Sequence, residues 1–256
     1  MKRFYWLISL VFLLFPTAQI HASVSTIPII LFANTKDEKI ISLPSINPVG
    51  GVSLAVADLG TDGIPELIVA HGMGTEPRVH VLRQNGTEVG SFLAYAATMD
   101  AGINVMTCDL NGDGFSEIVT APQRGGGPHV RLFDRFGQSI AGGDFVYDKS
   151  IRSGINLACG DLNDDGQAEL ITMPAAGSAL PVRIWNKEEK KLVLVQEFFP
   201  FDTTDVTGTI GTIHSGELTL AQQHIKTPRI KTFILDGKVM KEKNEMTKMQ
   251  NVSDLA

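Results

Sequence analysis

A chain of 256 residues with 43% apolar residues, 20% charged residues and only two cysteines has a globular composition, which excludes a disordered chain, a collagen, a coiled coil and a disulfide-built miniprotein. Its formal net charge of −6 argues against a nucleic-acid partner, which would call for a basic face. The 25 glycines stand somewhat above the usual share.

At the start of the chain, Lys2 and Arg3 precede a strongly apolar run over residues 4–15, followed by Pro16, Ala18 and Ala22. A positive end, a short apolar core and a small residue at the exit describe a secretory signal peptide over 1–22, shorter than the roughly 18 to 20 apolar residues of a membrane span. The expected location is secreted, periplasmic or extracellular, with no membrane insertion after cleavage behind Ala22; retention of the segment as an anchor is the alternative. Loss of Lys2 and Arg3 leaves the exported part more acidic than the whole.

Residues 23–240 are dominated by an internal repeat. Gly51, Gly102 and Gly154 each lead a unit; Asp58, Asp109 and Asp161 follow seven residues later, and Glu66, Glu117 and Glu169 fifteen residues later. The starts are 51 and 52 residues apart. The second half of the unit recurs as PRVHVL at 77–82, PHVRLF at 128–133 and LPVRIW at 180–185, then as FLAY at 92–95, DFVY at 144–147 and FFPF at 198–201. A half-unit, PIILF, stands at 28–32. A fourth, degraded unit covers 208–221 and 228–233, with Glu217 only nine residues after Gly208, so its acidic loop is deleted. Residues 241–256 read as a short polar tail.

Within a unit, the β-branched and aromatic stretches 54–57, 66–71, 78–83 and 89–95 read as four strands bounded by Gly, Asp, Asn or Pro. Gln84-Asn85-Gly86 and Asp236-Gly237 are hairpin signals, and the glycines at 125–127 break the chain before a strand. Four strands in about fifty residues predict an all-β chain, a β-propeller of about four to five four-stranded blades. The count also allows an incomplete ring that pairs with another chain, with self-association as the consequence.

The two cysteines fall on this pattern. Cys108 lies six residues after its leading Gly and Cys159 five after its own, so on strands of period two they point to opposite faces. Two unpaired, mostly buried thiols are therefore expected.

The acidic segment carries the chemistry. Asp109, Asn111 and Asp113 place oxygen-bearing side chains at alternate positions, Gly114 permits a sharp bend, the carbonyl of Phe115 adds a fourth oxygen, and Glu117 closes the far side at the ninth position. Oxygen ligands without His or Cys select a hard cation, and a flexible set of about six to seven of them suits Ca2+. Asp161, Asn163, Asp165, Gln167 and Glu169 repeat the whole set. Asp58, Asp62 and Glu66 repeat it with Gly60 at the third position, a weaker version. An EF-hand is excluded by the strands on either side and by Thr120 at the twelfth position, where that motif needs Glu.

These loops, with the GGGPHVRLFD segment at 125–134, resemble the FG-GAP/VCBS-type repeats, integrin-like β-propeller units with calcium loops between strands. The resemblance covers about 28–240 and implies a structural calcium role, with two good sites and one doubtful one. A noncatalytic, exported module binding a protein or glycan is the expected function; an enzyme or accessory domain acting on polysaccharide is the alternative.

His80, Arg131 and Arg183 occupy one equivalent column on the third strand and are candidates for receiving an acidic sugar or carboxylate, against a plain role in pairing with neighbouring acids. Tyr95, Tyr147 and Phe201 form an aromatic column read as core between units. No Gly-x-Ser-x-Gly elbow, His-Glu-x-x-His pair or phosphate-cradling loop before a helix is present.

Overall fold

The structure, a computed structural model, describes residues 27–32, 38–43, 50–140, 142–223, 225–236 and 239–246. The expected signal peptide at 1–22 lies outside the described residues. Among the described residues no helix is long and apolar enough to cross a membrane.

Among the described residues, eighteen strands form five antiparallel sheets. β1 (Ile27–Phe32) and β2 (Glu38–Leu43) make a hairpin where the half-unit was read. The first four-stranded sheet is β3 (Val52–Ala57), β4 (Glu66–His71), β5 (Arg78–Leu82) and β6 (Glu88–Leu93). The second is β7 (Ile103–Cys108), β8 (Glu117–Pro122), β9 (His129–Phe133) and β10 (Asp144–Phe145). The third is β11 (Ile155–Gly160), β12 (Glu169–Pro174), β13 (Val182–Glu188) and β14 (Lys191–Phe198). The fourth is β15 (Thr209–His214), β16 (Glu217–Gln222), β17 (Ile230–Asp236) and β18 (Val239–Met246).

Strand order follows the chain in every four-stranded sheet, and the first strands lie side by side: β3 beside β7, β7 beside β11, β11 beside β15. Two units depart from the repeat. β10 is cut to two residues, since Gly142 and Gly143 precede it and Gly143 takes a φ of 97° that L side chains avoid. β18 runs to Met246, six residues into the stretch read as a tail. Its polarity is that of an outermost strand, with Lys241, Glu242, Lys243 and Asn244 all exposed.

The packing explains why the second strands of the first three sheets are buried at almost every position. Each interior sheet has two neighbours, so both faces of its strands must be covered. Ile68 and Ala70 of β4 meet Ile103 and Ile118 of the second sheet; Val119 and Ala121 of β8 meet Ile155 and Leu170 of the third; Ile171 and Met173 of β12 meet Leu218 and Leu220 of the fourth. Alternate residues of one strand thus belong to different cores, as a two-residue side-chain period requires.

The leading glycines Gly102, Gly154 and Gly208 sit where one sheet meets the loop behind the second strand of the sheet before it. Gly154 has a φ of 89°, and a Cβ there would lie 2.6 Å from the Arg124 backbone N; at Gly102 and Gly208 the same atom would strike Met73 N and Ala176 N at 2.5 Å. The glycine carbonyls also accept from their own sheet, Gln123 N to Gly102 O (3.0 Å) and Ala175 N to Gly154 O (3.0 Å).

The expectation of two free thiols is overturned: Cys108 and Cys159 form a disulfide, with Cα atoms 6.0 Å apart. The two residues do differ in parity along their strands, but that difference does not keep them apart. In sheets that stack one against the next, a side chain pointing forward from β7 meets one pointing backward from β11, so opposite faces are what contact requires. At the next boundary the same two positions are Gly160 and Ile213, and a Cβ on Gly160 would sit 2.7 Å from Ile213 Cγ2.

Candidate functional site: three acidic loops

The loops 58–65, 109–116 and 161–168 join the first and second strands of the first three sheets, between the register pairs Ala57 with Glu66, Cys108 with Glu117, and Gly160 with Glu169. In the fourth sheet the pair His214 with Glu217 is joined by Ser215 and Gly216 alone, both with positive φ, the two-residue turn that the missing acidic loop predicts.

The first aspartate organises each loop by accepting backbone N–H groups. Asp109 Oδ1 accepts from Gly112 (2.8 Å) and Asp113 (3.2 Å), and Oδ2 from Gly114 (2.9 Å). Asp161 Oδ1 accepts from Asp164 (2.7 Å) and Oδ2 from Gly166 (2.9 Å). Asp58 Oδ2 accepts from Gly63 (2.8 Å). The acids at the fifth position form tight side-chain turns of their own: Asp62 with Ile64 N, Asp113 with Phe115 N and Asp165 with Gln167 N, at 2.8 to 2.9 Å. The glycine after each, Gly63, Gly114 or Gly166, has a φ between 81° and 86°, which is why Gly recurs there.

A second left-handed position, missed in the sequence, is filled by Thr61, Gly112 and Asp164, at 55°, 71° and 61°. Asp tolerates this region, but β-branched Thr does not, so the first loop is strained as well as short of a ligand.

The closing glutamates lie at the base. Oε2 of Glu66, Glu117 and Glu169 accepts the N–H of Leu59, Leu110 and Leu162 at 2.8 to 2.9 Å. Glu117 and Glu169 are only 5% and 2% exposed. Burial pushes both carboxyls up, and the aspartates of the same loop add to this, against the Leu N–H groups that pull down. In the third loop, the Asn163 amide donates from Nδ2 to Asp165 Oδ2 and to Glu169 Oε1, both at 2.9 Å. The acids thus converge on one electropositive group.

The second and third loops touch: Ala168 N donates to Asp109 O (3.0 Å), and a Cβ on Gly112 would lie 3.1 Å from Gly166 O. Two clusters of carboxylates stand side by side. Among the described residues no three His, Cys, Asp or Glu side chains are gathered into a ready-made metal cage. The acids are held instead by backbone N–H groups of their own turns.

The column of His80, Arg131 and Arg183 is drawn into contacts between and within sheets. Arg131 Nη1 donates to Ala94 O at 2.5 Å and Arg183 Nη1 to Val146 O at 2.6 Å, each a carbonyl of the preceding unit. Each guanidinium also lies over a tyrosine of that unit, Arg131 over Tyr95 at 5.9 Å and Arg183 over Tyr147 at 4.8 Å. Those tyrosines are core between sheets: Tyr95 Oη donates toward His129 O (2.6 Å) and Tyr147 Oη toward Pro181 O (2.7 Å). His80 instead joins His71, Nε2 to Nε2 at 3.0 Å, and Glu88.

The chain matches no known protein-family model, and no curated protein resembles it in sequence.

Proposed function

We propose that this chain is an exported, noncatalytic β-propeller of FG-GAP/VCBS type, whose acidic loops hold structural Ca2+ and whose loops and ring faces bind a protein or glycan. The observation that carries the reading is the loop at 161–169, in which the Asn163 amide ties Asp165 to the buried Glu169 that closes the base. The residues suit the ion. Asp109, Asn111, Asp113 and Glu117, with the carbonyl of Phe115, would hold one calcium; Asp161, Asn163, Asp165 and Glu169, with the carbonyl of Gln167, a second. Bound calcium supplies charge neutralisation to carboxylates that otherwise repel one another in a buried setting. Asp58, Asp62 and Glu66 form the weakest loop.

An exported location accords with the disulfide, which persists in oxidising compartments. The stacking of four similar sheets through their first strands supports a propeller arrangement, either of four to five blades or as an incomplete ring. On the second sheet, exposed Phe136 and the guanidinium of Arg135, 4.2 Å from the centre of Phe115 and 4.8 Å from that of Phe136, offer aromatic and cationic contacts beside an acidic loop.

The test is thermal melting of the secreted chain in EGTA and in excess calcium, together with glycan-array binding in calcium. Calcium is expected to raise Tm by several degrees. Identical melting curves in the two buffers overturn the calcium reading.

A further inference from the structure

The three acidic loops share a scaffold but differ in the nitrogen that faces the closing glutamate. In the third loop it is the Asn163 amide, 2.9 Å from Glu169 Oε1. In the second, the Asn111 amide donates to Asp113 Oδ2 (3.0 Å), and Glu117 Oε1 faces Lys187 Nζ at 3.8 Å.

Lys187 does not belong to that sheet. It lies near the end of β13 in the third sheet, opposite Leu192 of β14, and its ammonium reaches back to the loop of the second. Its side chain is 9% exposed and that of Glu117 is 7% exposed. A lysine so deeply covered is costly unless an opposite charge stands near it, and Glu117 supplies that charge. The separation is ion-pair range but too long for a hydrogen bond, so the ammonium acts as a charge held at the cluster and not as a fixed donor.

The equivalent residues show that this is peculiar to one loop. In the second sheet the position is Arg135, whose guanidinium is committed to Phe115 and Phe136. In the fourth sheet it is Leu235, packed with the core between the third and fourth sheets, so no cation from that position reaches the loop at 161–168.

We infer that Lys187 is a tethered counter-ion of the second acidic loop. It offsets the charge of the buried Glu117 in the absence of metal, and calcium enters this loop only by displacing it or binding against its charge. The loop at 161–169 therefore fills first, and the second fills weakly. This rests on the calcium reading above and adds an order of loading to it.

The experiment is calcium titration by calorimetry on the exported chain, comparing wild type, Lys187→Met, Lys187→Gln and Glu169→Gln, with melting of each in EGTA. Circular dichroism in calcium verifies that each variant is folded. Both Lys187 variants are expected to strengthen the weaker site by about tenfold or more, leaving the stronger site unchanged. In EGTA they are expected to melt below wild type, because the buried Glu117 carboxylate loses its counter-ion, and calcium should restore most of the difference. Glu169→Gln is expected to remove the stronger site. If that site is lost in Glu169→Gln yet the weaker site keeps its affinity in both Lys187 variants, the role of Lys187 is overturned while calcium binding stands. If wild type and all variants bind no calcium, the calcium reading itself fails and the order of loading with it.

Discussion

Cys108 and Cys159 join two stacked sheets rather than two strands of one sheet, each on the first strand of its own repeat and 51 residues apart in sequence. In the chain-entropy account a closed loop of this length contributes about 4 kcal/mol, by restricting the unfolded chain. Reduction with dithiothreitol, or the Cys108→Ala/Cys159→Ala pair, is expected to lower the urea midpoint substantially. Denatured but unreduced protein should show no titratable thiol. Two thiols per chain in that assay would show that the bond is absent.

Tyr147 illustrates a second tie across the same boundary. Its ring is buried, and its hydroxyl donates to Pro181 O at 2.7 Å with Thr172 O at 3.0 Å. Tyr147→Phe keeps the packing and leaves carbonyls without that donor, a loss of about 1 to 3 kcal/mol in urea unfolding. The next unit carries Phe201 at this place, so the fold tolerates the ring alone. A variant as stable as wild type would show that the hydroxyl contributes nothing.

The repeat, its four strands per unit and the deletion of the fourth acidic loop were all legible in the sequence, because period-two apolar patterning and Asp-Gly turns are local signals. The partner of each face was not. Ile118 and Val119 are adjacent and equally apolar, yet they serve different cores, and only the stacking order of the sheets tells which is which. The same gap turned the cysteine parity into a wrong conclusion. Arg131 and Arg183 looked like an outward column because their targets, Ala94 O and Val146 O, are backbone atoms 37 residues away. Lys187 gave no local signal at all, lying in a charged stretch that ends a strand.

In the first sheet the pair His71 and His80 should make stability depend on pH. A backbone carbonyl can only accept, so His71 Nδ1 donates to Glu76 O (3.1 Å); His80 Nδ1 donates to the Glu88 carboxylate (2.9 Å). Their Nε2 atoms lie 3.0 Å apart, so with both rings fully protonated two N–H groups would point at one another, and the pair resists a second proton. Burial first, then His80, with Arg78 adding and Glu76 opposing, holds His71 below the ordinary histidine range. His129 is held low too, with burial again the main cause. As pH falls through about 6.5 the unfolded chain takes up protons that the folded one refuses, so stability declines from neutral pH down to the depressed folded values. Urea unfolding between pH 8 and 5 should show this decline, reduced in His71→Gln. A His71→Gln profile parallel to wild type would show that His71 is not its source.

The leading glycines separate two costs that usually come together. Gly51 and Gly154 both sit at positive φ, 75° and 89°, so either alanine variant meets the left-handed penalty of about 1 to 2 kcal/mol. Around Gly51 an added Cβ meets nothing within 4 Å, whereas at Gly154 it would lie 2.6 Å from Arg124 N and 2.9 Å from Gln123 C. Those are backbone atoms and cannot swing aside, so the sheets must part slightly, adding about 1 to 3 kcal/mol of overpacking. Gly154→Ala is therefore expected to lower the urea midpoint well beyond Gly51→Ala, with an unchanged m-value if the stack still unfolds as one unit. Equal losses in the two variants would mean that backbone conformation alone, and not the close approach of neighbouring sheets, accounts for the glycine at the head of each repeat.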